Sequence, residues 1–191
     1  MSRSVEARHD PVARRLHWIV AIVLPMQFVL GCVAERASSR QIADAALAWH
    51  VQLGVVLLAL TLMRLGWRLW RRIPTAVHVA DPRQRIAARC VHGSLYVLLL
   101  ALPAAGYVIV VWMGEDLRLL GLVDMPRVFT PPADDETGRA IAWYVHVYGA
   151  WFLVALIAMH VAAAAWHRRA KNSVSTSTVS GRRTRNVRAR G

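Results

Sequence analysis

The stretch IAWYVHVYGAWFLVALIAMHVAAAAW, residues 141–166, decides how the chain is read. Apart from His146 and His160, its only titratable side chains are Tyr144 and Tyr148. An apolar run of that length suffices to cross a bilayer as one helix. The two histidines stand fourteen residues apart. At about 100° and 1.5 Å per residue, they return to within about 40° of one face and are separated by about 21 Å along the axis. One helix face thus offers an imidazole near each side of a hydrocarbon core about 30 Å thick. Ionisable groups at such depth are costly, and their default reading is functional. Two stacked imidazoles facing a bundle interior point to two haems, one above the other.

Three more apolar blocks precede this one: Leu16–Ala34, Ala45–Trp67 and Ser94–Met113. The 191 residues are 56% hydrophobic and 18% charged, and the apolar residues fall in blocks rather than stripes. That pattern predicts an all-α, integral membrane four-helix bundle over residues 9–170, with helices at about 16–34, 45–67, 92–113 and 141–167. The first block is too long for a removable signal peptide, and it ends at Glu35–Arg36 without a small-residue cleavage pattern. Pro25 and Gly31 interrupt helix one, and Pro103 and Gly106 interrupt helix three, which membrane helices tolerate. A Pro-containing loop spans Ile73–Pro82. The connection Gly114–Arg139, with Pro131–Pro132 and the acidic Asp134–Asp135–Glu136, has room for a short helix. The Ser/Thr/Arg-rich segment 171–191 has almost no large apolar residue and is expected to be a disordered tail.

A net charge of +13 in a soluble chain would suggest nucleic acid, but here its distribution points to topology and away from a nucleic-acid partner. Nineteen of the 24 basic residues precede helix one, lie between Arg64 and Arg89, or follow helix four. Only Arg36, Arg40, Arg118, Arg127 and Arg139 fall on the other side. Positive residues stay inside, so both termini are expected in the cytoplasm. Cys32 and Cys90 then lie at opposite membrane faces, and no disulfide or CxxC motif forms.

Topology sorts the eight histidines by depth. His50 and His146 open helices two and four on the outer side. His17 opens helix one on the cytoplasmic side, and His160 lies toward the cytoplasmic end of helix four. Bis-histidine ligation needs two imidazoles at matching depth on different helices. Depth therefore pairs His50 with His146 for an outer haem and His17 with His160 for an inner one. Clustered tetrahedral zinc ligands do not fit pairs so far apart, and an iron with both axial positions filled serves electron transfer. Gly54, Gly149 and Ala164 lie three or four residues after these histidines. They either leave room for a macrocycle or serve helix packing. His92 and His167 sit at the cytoplasmic face, where an imidazole can bond and protonate a quinone carbonyl or act as an interfacial anchor. Arg14, Arg15 and Arg89 suit haem propionates or topology alone. His9 and His78 lie in polar segments and carry no role.

These residues resemble the prokaryotic cytochrome b561 family. The matching pieces are RLHW at 15–18, WHVQLG at 49–54, HGSLY at 92–96 with LPAAG at 102–106, and HVYG with MHVAAA on helix four. The resemblance covers roughly residues 9–170. It implies a bacterial inner-membrane protein with two non-covalent b-type haems and electron transfer linked to ubiquinone. The leading expectation is superoxide oxidation at the outer face coupled to ubiquinone reduction. A quinol-linked relay for a periplasmic redox partner is the alternative, and a non-redox membrane transporter stands as a reading of a different class.

Overall fold

Two Asp-Pro steps set where helices begin. Asp10 caps α1 (Pro11–Arg36), accepting from the Val12 and Ala13 N–H groups at 2.9 and 3.0 Å. Asp81 caps α3 (Pro82–Trp112) through the Arg83 N–H. A proline in the first turn has no N–H to leave unsatisfied, so the pair is a strong start signal. Between them α2 (Arg40–Trp70) follows Ser39. All three helices outrun the apolar blocks because their added turns are polar or aromatic and rest on these termini. The computed structural model describes residues 10–71, 81–115, 118–119, 122–133 and 136–188; His9, His78 and Asp134–Asp135 lie outside them.

Gly114, at φ 74°, closes α3 in the left-handed conformation that suits glycine. The connection beyond it differs from expectation: its described residues hold a small hairpin in place of a short helix. Strand β1 (Arg118–Leu119) pairs antiparallel with β2 (Val123–Asp124), and Arg118 faces Asp124 across a 2.7 Å ion pair. Pro126, Pro131 and Pro132 leave little room for a helix here. The connection is pinned to the helices below. Gln52 Nε2 donates to the Arg118 carbonyl at 2.8 Å, Tyr107 bonds both Pro126 and Val128, and Trp112 packs on Phe129. Helix α4 (Thr137–Arg188) runs past the expected end at 167, into the segment whose composition suggests disorder. From 168 to 188 there is no proline and a single glycine, Gly181, so the local sequence supplies no helix stop.

The chain divides into two compact units, Met1–Phe152 and Leu153–Gly191, with the boundary inside α4. In the first, buried residues recur at helical spacing: Leu16 and Val20 on α1; Gly54, Leu57 and Thr61 on α2; Leu99, Leu102 and Ala105 on α3. Yet no more than 17% of any helix's most apolar window is buried. Ile22, Met26, Val29, Leu62, Met63 and Val97 face outward. Helices this apolar and this little covered by protein need lipid around them.

One contact fixes α1 against α2. Asp10 Oδ2 accepts from the Trp67 indole at 3.0 Å and lies 3.7 Å from Arg71 Nε. The Ala13 N–H foremost, with Trp67, Val12 and Arg71, holds the Asp10 carboxyl below its ordinary 3.8, against the opposing effect of burial.

Candidate functional site

His50 on α2 and His146 on α4 face each other with ring centroids 5.8 Å apart and planes at 72°. Each ring is held in the same way. His50 Nδ1 lies 3.0 Å from the Gln27 carbonyl of α1, and His146 Nδ1 lies 2.8 Å from the Leu102 carbonyl of α3. A carbonyl oxygen only accepts, so Nδ1 carries the proton in both rings and Nε2 presents its lone pair. That is the arrangement of a metal-binding imidazole whose other nitrogen is tied to a backbone oxygen.

Space for each ring comes from a glycine four residues after the accepting carbonyl. A Cβ at Gly31 would lie 3.0 Å from His50 Cε1, and one at Gly106 would lie 3.2 Å from His146 Cε1. Residues four apart stack on one helix face, so an imidazole lying on the bare turn at Gly31 or Gly106 meets the carbonyl of Gln27 or Leu102. Pro25 and Pro103, which lack an N–H, free the carbonyls of Ala21 and Leu99 rather than those the imidazoles meet. The α1–α2 contact is reciprocal: Gln27 Nε2 donates to the His50 carbonyl at 2.8 Å. Gln27 Oε1 is buried without a hydrogen-bond partner among the described residues.

This donor set fits an axially ligated haem iron. Two metal–imidazole bonds of about 2 Å each, plus ring radii of about 1 Å, put the centroids of a shared pair about 6 Å apart. The two tautomers are already those that ligation requires.

The other expected residues are placed as follows. His17 is half-buried on α1 beside Trp18, and Val20, Leu24, Gln27 and Gly31 continue its face at three- and four-residue steps. His160 belongs to the second unit. His92 is half-buried, with Nδ1 2.6 Å from the Ala88 carbonyl one turn back, and His167 is exposed. Arg14, Arg15 and Arg89 are exposed. Of the small residues, Gly54 faces the Gln27 amide and Gly149 faces Leu102, so both serve helix packing. The glycines that make room for imidazoles are Gly31 and Gly106, on the helices that supply neither His50 nor His146. Their sequence signal was present only as glycines near prolines.

Residues 8–181 match the prokaryotic cytochrome b561 family. The chain is similar to cytochrome b561 homolog 2 of Escherichia coli (strain K12), at 29% identity over 154 residues and 80% of both chains. It is also similar to cytochrome b562 of Cereibacter sphaeroides, at 34% identity over 96 residues, 48% of this chain and 59% of that one.

Proposed function

The chain belongs to the prokaryotic cytochrome b561 family and is a multi-pass membrane b-type cytochrome of electron transfer, and from that premise we propose that it carries single electrons through two haems between an outer-face donor and ubiquinone. The non-redox transporter reading falls with family membership. The observation that carries the proposal is the His50–His146 pair, with both Nδ1 atoms tied to main-chain oxygens and both Nε2 atoms left to bind metal. His17 with His160 would hold the second haem; His17 lies on the same α1 face as the Gln27–Gly31 support of the first. The excess of arginine at the end carrying both termini orients that end toward the cytoplasm of the inner membrane.

Bound b haem supplies reversible one-electron chemistry. The chain's part is to fix both imidazole planes, exclude water and deliver protons. Ubiquinone reduction takes two electrons and two protons, so two superoxide anions give two dioxygen molecules for each quinol formed. His92 is the first candidate for proton delivery, with Nδ1 engaged within its own helix by the Ala88 carbonyl. His167, which is exposed, is the second candidate.

A docked redox protein is the second reading for the donor, favoured by the outer charges. Arg40, Arg118 and Arg139 are ion-paired with Asp44, Asp124 and Glu136. Arginines neutralised in this way steer a small anion weakly. Stopped-flow haem reduction by superoxide, against reduction by quinol, tests both. Reduction by superoxide at a rate that falls with ionic strength supports the first donor. Reduction by quinol alone makes the chain a relay for a partner.

A further inference from the structure

Gln27 of α1 meets His50 twice. Its carbonyl lies 3.0 Å from His50 Nδ1, and its side-chain Nε2 donates to the His50 carbonyl at 2.8 Å. The two bonds run in opposite senses between the same two residues and close a loop of contacts from α1 to α2. The first would exist with any side chain at position 27, whereas the second requires the amide. Gly54 leaves the amide its space, since a Cβ there would lie 3.1 Å from Gln27 Nε2. Gln27, His50 and His146 all belong to the first compact unit.

The other end of the amide is left stranded. The His50 carbonyl can only accept, so the amide is fixed with Nε2 toward α2 and Oε1 turned away. Oε1 is there enclosed with no hydrogen-bond partner among the described residues, and a buried acceptor in that state is a loss to the folded chain. Nor does the His50 carbonyl need the bond. His50 lies inside α2, where the Gly54 N–H one turn on already points at that carbonyl. A methionine would fill position 27 at similar length and strand nothing. The glutamine thus does little for the fold alone, and the group it does act on is a metal-binding ring. His146 has no equivalent, because Leu102, whose carbonyl takes its Nδ1 proton, carries an apolar side chain packed at Gly149.

We propose that Gln27 is a positioning residue for His50: its amide ties the α2 backbone at His50 to α1 and so keeps the His50 Nδ1–H engaged by the Gln27 carbonyl. This rests on the reading of His50 and His146 as ligands of one haem. An imidazole whose far N–H is well hydrogen-bonded is the more basic ligand. A more basic ligand favours ferric over ferrous iron, so the glutamine lowers the potential of this haem. It also holds the His50 plane at its angle of 72° to that of His146.

The experiment uses the full chain purified from membranes with its haem: wild type, Q27M, G54A and His50→Ala. Haem content, midpoint potentials, the EPR signals of low-spin ferric haem and thermal unfolding are all measured. Q27M should keep its haem content and melt no earlier than wild type, while the potential of one haem rises and its EPR signal, which depends on the angle between the imidazole planes, moves. A loss of about tenfold in the preference for ferric iron, the low end of what outer partners of metal ligands contribute, raises that potential by about 60 mV. G54A, which pushes on the amide from α2 and leaves residue 27 alone, should move the same haem in the same direction by less. Should Q27M fail to assemble, G54A carries the same readouts. Unchanged haem content in His50→Ala overturns the ligand reading and this role with it. If His50→Ala loses a haem but Q27M and G54A keep wild-type potentials and EPR signals, the role of Gln27 alone is overturned. Earlier melting of Q27M with both signals unmoved makes the glutamine a clamp between helices and nothing more.

Discussion

Replacing Gly31 with alanine puts a methyl group 3.0 Å from His50 Cε1 and 3.2 Å from His50 Nδ1, both closer than ordinary carbon contact. The ring has little room to yield, because the Gln27 carbonyl holds Nδ1 and a ligated metal would hold Nε2. Overpacking by one methyl group costs about 1–3 kcal/mol. If the ring tips away, the Nδ1 bond is lost as well, at about 0.5–1.5 kcal/mol. Charged against haem affinity at this site, about 1.4 kcal/mol per decade gives a weakening of roughly 10- to 1,000-fold. Gly66 is the matched control, since a Cβ there meets nothing within 4 Å. Haem transfer from the purified variants to an excess of apo-acceptor protein, followed in the Soret band, measures the difference. G31A should lose one haem quickly and keep the other, while G66A should behave as wild type. Equal retention in G31A and G66A, with identical spectra, would refute the role given to the glycine and weaken the ligand assignment of His50.

Pyridine haemochrome assay should return two haems per wild-type chain. His146→Ala should lose the outer haem and His160→Ala the inner one, whereas His78→Ala should lose neither. His92→Ala and His167→Ala should keep both haems and slow electron exchange with quinone analogues several-fold; loss of a haem would make that histidine a ligand. Asp10 should give stability a sign with pH. Its carboxyl is held below 3.8, so its contribution is complete above that value and is lost as pH falls through the lowered one. Melting curves between about pH 5 and pH 2 should show a drop in wild type that Asp10→Asn lacks; parallel drops would assign the acid sensitivity to other carboxyls.

The four spans were legible because lipid-facing helices carry their signal in every residue. Their ends were less so: Asp10-Pro11 and Asp81-Pro82 are cap signatures, and a count of apolar residues passes over them. His50 and His146 could be read because each is a rare polar group in an apolar run with a depth-matched partner. Their supports could not. A backbone carbonyl leaves no mark in a sequence, and Gly31 or Gly106 reads like any small residue in a membrane helix. Gly54 and Gly149, about one turn after the histidines, face Gln27 and Leu102, because side-chain direction rather than sequence proximity sets the neighbour. Arg64 and Arg68 count in the sequence only as basic charge; the ring of Tyr96, 28 residues beyond Arg68, brings them together.

The choice of main-chain oxygens to hold both imidazoles bears on how the sequence can diverge. A carboxylate partner is lost with one substitution, but a carbonyl survives any exchange of its own side chain. The carbonyl at position 102 therefore persists under any exchange of Leu102, whose side chain answers instead to its packing against Gly149. Positions 31 and 106 have no such latitude, since any side chain there meets a ring. The hold on the two imidazoles thus depends on what is missing from two residues more than on what any residue supplies. A lineage could drift far in composition while these two glycines stayed fixed.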